Sequence, residues 1–259
     1  MGIVNVTPDS FSDGGLHLQR DAALAQAHQL IAEGADILDI GGESTRPGAQ
    51  PVSVQEELDR VLPIIEALHG APLAISVDTS KPEVMQAAIA AGAQMINDIN
   101  ALQDATAMQA VASSNVAVCL MHKQGNPQNM QVQPHYQNVV AEVSTFLSGR
   151  IAAAEAAGIH RERIVIDPGF GFGKTLAHNL ALLRELKKLT ELGVPILTGL
   201  SRKSMLGTLT GQDITQRQPA SLAAALIAVQ RGATIVRVHD VRVTVEALKI
   251  WNAVNGAGI

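Results

Sequence analysis

The sequence predicts a single-domain (β/α)8 (TIM) barrel, and three observations carry the prediction. The first is a repeating unit: an Ala/Leu-rich helical stretch, a glycine stop, then a short apolar run that ends in a polar or charged residue. The second is the number of such runs. The third is an apolar content of 47 %, mostly Ala, Leu, Ile and Val, which suits parallel strands buried on both faces. At 259 residues the chain is long for one domain, yet barrels of this kind commonly reach this length undivided.

The stops are Gly34, Gly70, Gly92, Gly158, Gly193 and Gly232, each placed to supply the left-handed residue that ends a helix. Runs such as Asp36-Ile37-Leu38-Asp39-Ile40 and Ile164-Val165-Ile166-Asp167 follow them. With the opening run 1–6 and the run 116–121, the alternation amounts to about eight strands separated by helices. A doubly wound open sheet is the runner-up. The whole of 1–259 is taken as one domain. Because the chain opens directly on Met1-Gly2-Ile3-Val4-Asn5-Val6, already strand-like, a segment ahead of the first strand is expected to be missing.

Composition removes several function classes. Aromatic residues make up 2 %, too few for a nucleic-acid stacking surface, and a net charge of −5 without a basic run argues against phosphate backbones or anionic lipid. Any anion site is therefore local. The single cysteine, Cys119, lies in the apolar run 116–121 and reads as core, so no disulfide framework exists and a reducing cytoplasm is expected. No apolar stretch is long enough to span a bilayer.

The functional signal lies where the strands end. Asn5, Asp39, Asp78, Asn97, His122, Asp167, Ser201, Arg237 and His239 sit at or just beyond the last apolar positions, and a parallel barrel gathers its strand ends on one face. Polar residues do terminate strands for no other reason, but a ring of carboxylates, carboxamides, arginine and histidine exceeds punctuation. One tempting motif fails. Gly169-Phe170-Gly171-Phe172-Gly173-Lys174-Thr175 ends like a phosphate-binding loop, but Pro168 stands at the required first glycine and no acidic magnesium strand accompanies it. Its glycines are expected to let a flat ligand approach backbone closely.

Two long polar loops follow the first two strands: Asn5-Val6-Thr7-Pro8-Asp9-Ser10-Phe11-Ser12-Asp13-Gly14-Gly15, and Gly41-Gly42-Glu43-Ser44-Thr45-Arg46-Pro47-Gly48-Ala49. With Ser76-Val77-Asp78-Thr79, Ile96-Asn97-Asp98, Leu120-Met121-His122, Asp167 to Lys174, Gly199 to Ser204, and Arg237-Val238-His239-Asp240, they resemble the dihydropteroate synthase family in order and over almost the whole chain. That resemblance implies a pterin-binding barrel and a transferase of folate biosynthesis. Such an enzyme condenses a hydroxymethyl-dihydropterin diphosphate with p-aminobenzoate, releases pyrophosphate and is a sulfonamide target.

The resemblance also assigns roles. Asp78, Asn97, Met121, Asp167, Phe172 and Lys203 would hold the pterin; Asn5, Thr45, Arg46, Arg237 and His239 the diphosphate, with Asn5 as ligand to Mg2+. Phe11, Thr45, Pro47, Phe172, Lys203 and Ser204 would form the p-aminobenzoate and sulfonamide site, and Asp78, Lys203 and Arg237 are the expected catalytic set. A carboxylate or carboxamide reads the donor edge of a pterin as it would a base, while arginine and metal neutralise charge on a departing diphosphate. Simpler roles are a helix N-cap for Asp167, a helix-end histidine for His239 and packing for the phenylalanines. Lys123 departs from the family pattern, which has an apolar residue there, and is expected to point outward. A homodimer through the late helices is the family expectation. The alternatives are a pterin-dependent methyltransferase, which would lack the loop pair, and a non-catalytic pterin-binding protein, which would not need Asn5, Arg46 and Arg237 together.

Overall fold

The structure, a computed structural model, describes residues 1–6, 16–44, 49–125, 130 and 132–256. Among the described residues, eight parallel strands occur in chain order: β1 (Gly2–Asn5), β2 (Ile37–Gly41), β3 (Ala74–Asp78), β4 (Met95–Asp98), β5 (Ala117–Met121), β6 (Ile164–Asp167), β7 (Leu197–Thr198) and β8 (Ile235–Val236). Each of β1 to β5 pairs with the next, and β7 pairs with β8. Single bridges, Ile166 to Ile196 and Gly2 to Val238, join the two groups and close the (β/α)8 barrel. The open-sheet alternative is thereby excluded.

Helices α1 (Leu16–Ala32), α2 (Val54–Ala67), α3 (Pro82–Ala90), α4 (Ala105–Ala112), α5 (Val139–Ala156), α6 (Leu176–Arg184), α7 (Ser204–Thr210), α8 (Gln218–Gln230) and α9 (Val241–Asn255) lie between and after the strands. Their starts follow from short polar side chains that accept otherwise unpaired backbone N–H groups: Ser53 from Glu56, Asp104 from Thr106 and Ala107, Asn138 from Ala141. All six predicted glycine stops have positive φ, from 68° at Gly193 to 105° at Gly92. No described helix is long and apolar enough to cross a membrane.

Strand alternation sorts the side chains into two cores. Leu38, Ile40, Ile75, Val77, Ile96, Val118, Leu120, Ile164 and Ile166 belong to the large cluster shared with the helices. Met1, Met95, Cys119, Val165 and Leu197 form a separate cluster of the opposite parity, the plug inside the barrel. Two residues further along these strands, the inward parity brings Asn97, Met121 and Asp167 to the top of the plug. The register places Asn5, Gly41, Asp78, Asn97 and Cys119 side by side around the wall.

Two glycines near the end of α5 separate helix propensity from cap geometry. A Cβ would meet nothing within 4 Å at either Gly149, inside the helix, or Gly158, at its left-handed end with φ 93°. Gly149→Ala is expected to stabilise the fold by about 0.5–1 kcal/mol, and Gly158→Ala to destabilise it by about 1–2 kcal/mol. Denaturant unfolding of both variants checks the opposite signs.

Candidate active site

Beneath the strand ends lies a fully buried carboxylate. Asp39, inward on β2, accepts from Ser76 Oγ at 2.6 Å, from Asn97 Nδ2 at 3.0 Å and from Arg237 Nε at 2.5 Å. Arg237, just past β8, turns its Nη2 to Asp78 Oδ2 at 2.8 Å. Two carboxylates thus share one guanidinium. Burial pulls the Arg237 pKa down, but Asp39 and Asp78 together override it and hold the group charged.

Above this layer opens a cleft of about 640 Å3. Every residue assigned a ligand role that the structure describes lines it: Asn5, Asp78, Asn97, Met121, Asp167, Phe172, Lys203, Ser204, Arg237 and His239. Phe11, Thr45, Arg46 and Pro47 lie outside the described residues. The size suits a small-molecule ligand.

Asp78 Oδ1 is buried without a hydrogen-bond partner among the described residues, an acceptor held in the wall of the cleft. Burial pushes the Asp78 carboxyl up to about 7, with Arg237 opposing and Asp39 reinforcing the rise. Asp167 is also raised by burial, against the Gly169 N–H and the charges of Lys203, Lys174 and Arg237. Its Oδ1 accepts from Gly169 N at 2.7 Å in a tight turn, while the next helix is capped by Thr175 and His178. The helix-cap role for Asp167 is therefore excluded.

Lys203 crosses the cleft with its ammonium 4.3 Å from the centre of the Phe172 ring. Gly171 lets the lysine stem lie close, since a Cβ there would stand 3.3 Å from Lys203 Cδ. His239 meets Ser201 Oγ through Nδ1 at 2.9 Å, which fixes its ring at the cleft edge; Asp240, not His239, precedes α9. Gly41 leaves open space between Asn5 and Asp78: the nearest atoms to a Cβ there are Asp78 Cβ at 3.6 Å and Asn5 Oδ1 at 3.9 Å.

Two strand-end expectations need correction. His122 does not reach the cleft: it shares parity with the outward Val118 and Leu120, stacks edge-on against Phe146 at 5.0 Å and bonds Lys174. Asp39 faces inward but lies a layer below the cleft floor, so it supports the site without lining it. Lys123 does not line the cleft, and Asp98 is its charge partner. Sequence reasoning assigned no role to Arg202 and Arg217, which line the cleft beside Lys203. The Arg202–Asp240 ion pair at 2.7 Å joins the β7 loop to the β8 loop, a contact between separate segments that no local motif announces.

This closed barrel, with buried acceptors and cations converging at its strand ends, belongs to the pterin binding enzyme family, whose model matches residues 1–239. Among its relatives, dihydropteroate synthase of Neisseria meningitidis serogroup C is 55 % identical over 258 residues, 98 % of this chain and 91 % of the relative. The fold is similar to Xanthomonas albilineans dihydropteroate synthase with 4-aminobenzoic acid, at TM-score 0.93 and 58 % identity, covering 98 % of this chain and 92 % of that one. It is also similar to the Yersinia pestis enzyme in a sulfonamide drug complex, at TM-score 0.94 and 50 % identity, covering 98 % and 93 %.

Asp78 gives this site a measurable signature. Its folded pKa, raised to about 7, exceeds the ordinary carboxyl value of 3.8, so between those limits the folded state holds more protons than the unfolded state. The associated stability is present below about pH 4 and lost as pH rises through about 7. Asp78→Asn is expected to flatten the decline in melting temperature between pH 4 and 7, relative to the unsubstituted protein. Parallel slopes would show that Asp78 does not titrate there.

Proposed function

We propose that this enzyme is a dihydropteroate synthase: it joins 6-hydroxymethyl-7,8-dihydropterin diphosphate to p-aminobenzoate, giving 7,8-dihydropteroate and pyrophosphate. Asp78 Oδ1, buried with no hydrogen-bond partner among the described residues and set in one cleft with Asn97 and Asp167, carries this reading. Acceptors in a desolvated wall select a ring whose edge donates several N–H groups, because a ligand without them leaves the acceptors unsatisfied. A pterin has such an edge. Met121 and Phe172 would cover its flat faces, and Lys203 would donate to a ring acceptor.

The diphosphate would lie toward Asn5, Arg237 and His239, on the side of the cleft where β1 and β8 meet. Arg237 already serves Asp39 and Asp78 through Nε and Nη2, so its remaining N–H groups are the ones available to phosphate oxygens. Asn5 fits the expected magnesium ion. No cluster of three or more His, Cys, Asp or Glu among the described residues could hold a metal, and a lone carboxamide suits an ion that takes its other oxygens from diphosphate and water. When bound, Mg2+ would neutralise charge on the leaving diphosphate.

In the reaction, the aniline nitrogen of p-aminobenzoate forms a bond to the pterin methylene carbon as the C–O bond to diphosphate breaks. Pyrophosphate leaves with the electron pair, and the nitrogen then loses its proton to solvent. Arg237 and His239 stabilise the departing oxygens, while Asp78 and Lys203 hold the ring in line. Ser204 and Lys203 would receive the p-aminobenzoate carboxylate against Phe172; Phe11, Thr45 and Pro47 are proposed to complete that pocket, and Thr45 and Arg46 to complete the diphosphate site. A homodimer and a cytoplasmic location complete the proposal.

The direct test is pyrophosphate release, which should require both substrates and magnesium. Asp167→Asn, which puts an amide donor against the ring's N–H edge, is expected to weaken pterin binding by at least about tenfold in calorimetry while the thermal transition is retained. In steady-state kinetics a sulfonamide should compete with p-aminobenzoate. Inhibition that more p-aminobenzoate does not relieve would move the drug out of this pocket.

A further inference from the structure

The glycine-rich segment 169–173 follows Asp167 and carries Phe172, and it lies directly on the backbone after β5. A Cβ at Gly169 would collide with the His122 carbonyl oxygen, and one at Gly173 with the Gln124 carbonyl oxygen. Gly169, Gly171 and Gly173 all adopt left-handed φ, between 64° and 83°. Such a path turns backbone carbonyls toward the interior, where each needs a donor.

Most of these groups find local partners. Gly169 N donates to Asp167 Oδ1, and Phe172 N to Gly169 O at 3.1 Å. Gly171 N donates to Asn179 Oδ1 at 2.8 Å, and Tyr136 Oη to Gly173 O at 2.9 Å. Further donors come from one side chain. Lys174 is 3 % exposed, and its Nζ stands 2.9 Å from Gly169 O, 3.0 Å from Phe172 O, 3.3 Å from His122 O and 3.0 Å from His122 Nδ1. Lys174 does not line the cleft, so it touches no ligand there.

We propose that Lys174 is a positioning residue for the reaction: its buried ammonium ties the 169–173 segment to His122 and so holds Asp167 and Phe172 in their ligand-facing places. The inference rests on the function proposed above. Three of its neighbours are carbonyl oxygens, which act only as acceptors and match the three N–H groups of an ammonium. Burial and then the charge of Lys174 push His122 down to about 3, which keeps its ring neutral, with Nδ1 3.0 Å from the ammonium. Burial also draws Lys174 down to about 7, with Asp167 opposing and Lys203 adding to the fall. The carbonyl cage favours the charged form against that pull. His122, which the strand parity keeps out of the cleft, thereby gains a role behind it.

Lys174→Met keeps the length of the side chain and removes the donors. Calorimetry with 6-hydroxymethylpterin is expected to show affinity reduced about tenfold to a hundredfold, the cost of leaving buried carbonyls unpaired at the loop that shapes the pterin face. Pyrophosphate, assigned to Asn5, Arg237 and His239, should bind within about twofold of the parent protein because those residues lie apart from the segment. KM for the pterin substrate should rise with kcat held within about threefold, as for lost ground-state binding. Amide exchange at Gly171 and Phe172 should quicken while β6 stays protected.

Should Lys174→Met not fold, Lys174→Gln carries the same measurements, and Asn179→Ala should shift pterin affinity in the same direction by less. Unchanged pterin affinity in a folded variant, or equal loss of pterin and pyrophosphate, overturns the inference. Failure of the parent protein to bind pterin overturns the functional reading instead, and the exchange of the loop amides still decides whether Lys174 holds the segment.

Discussion

The site is organised around a buried charge that no ligand is proposed to touch. Asp39 lies in the barrel with no exposed surface, and an isolated carboxylate there would be strongly unfavourable. Its three donors come from β3, β4 and the end of β8, so satisfying it fixes three separate elements at once. Arg237 is anchored from below, and this lets it face the cleft without collapsing onto Asp78 alone. Removing one member of such a set leaves an unpaired charge, so Asp39 and Arg237 are constrained together.

The fold was legible because each repeat states itself locally. Glycine stops, helix caps and apolar runs depend on neighbours a few residues away, and all six stops adopt the left-handed geometry that their position implies. The site was legible to the extent that it obeys strand parity. Asn97, Met121 and Asp167 occupy inward positions on successive strands and meet as expected. His122 was misjudged because its polarity was weighed without its parity: it follows Leu120 by two residues and must face the helices.

What local patterns do not contain is contact between distant segments. The cage around Lys174 is built from residues of two separate stretches, and the lysine itself sits in a motif that resembles a phosphate loop without being one. Likewise Glu43 bonds Lys81 and accepts from Val52 N at 3.3 Å, while Lys81 reaches the buried Glu57 at 2.5 Å. These bonds bind the neck of the second loop to α2 and to the start of α3. Each partner alone reads as an ordinary surface charge in the sequence.

The commitment of the Asn97 amide to Asp39 has a consequence for selectivity. One donor of its amino group is spent below the floor, and its carbonyl oxygen is the acceptor it brings to the cleft lining, beside an oxygen of Asp78 that no described residue bonds and the carboxylate of Asp167. That wall counts donors. A heterocycle with an exocyclic amine meets it with hydrogen against oxygen, whereas the same ring bearing an oxo group would set lone pairs against lone pairs. A residue buried below the floor therefore determines which tautomers and which ring substituents the pocket can distinguish.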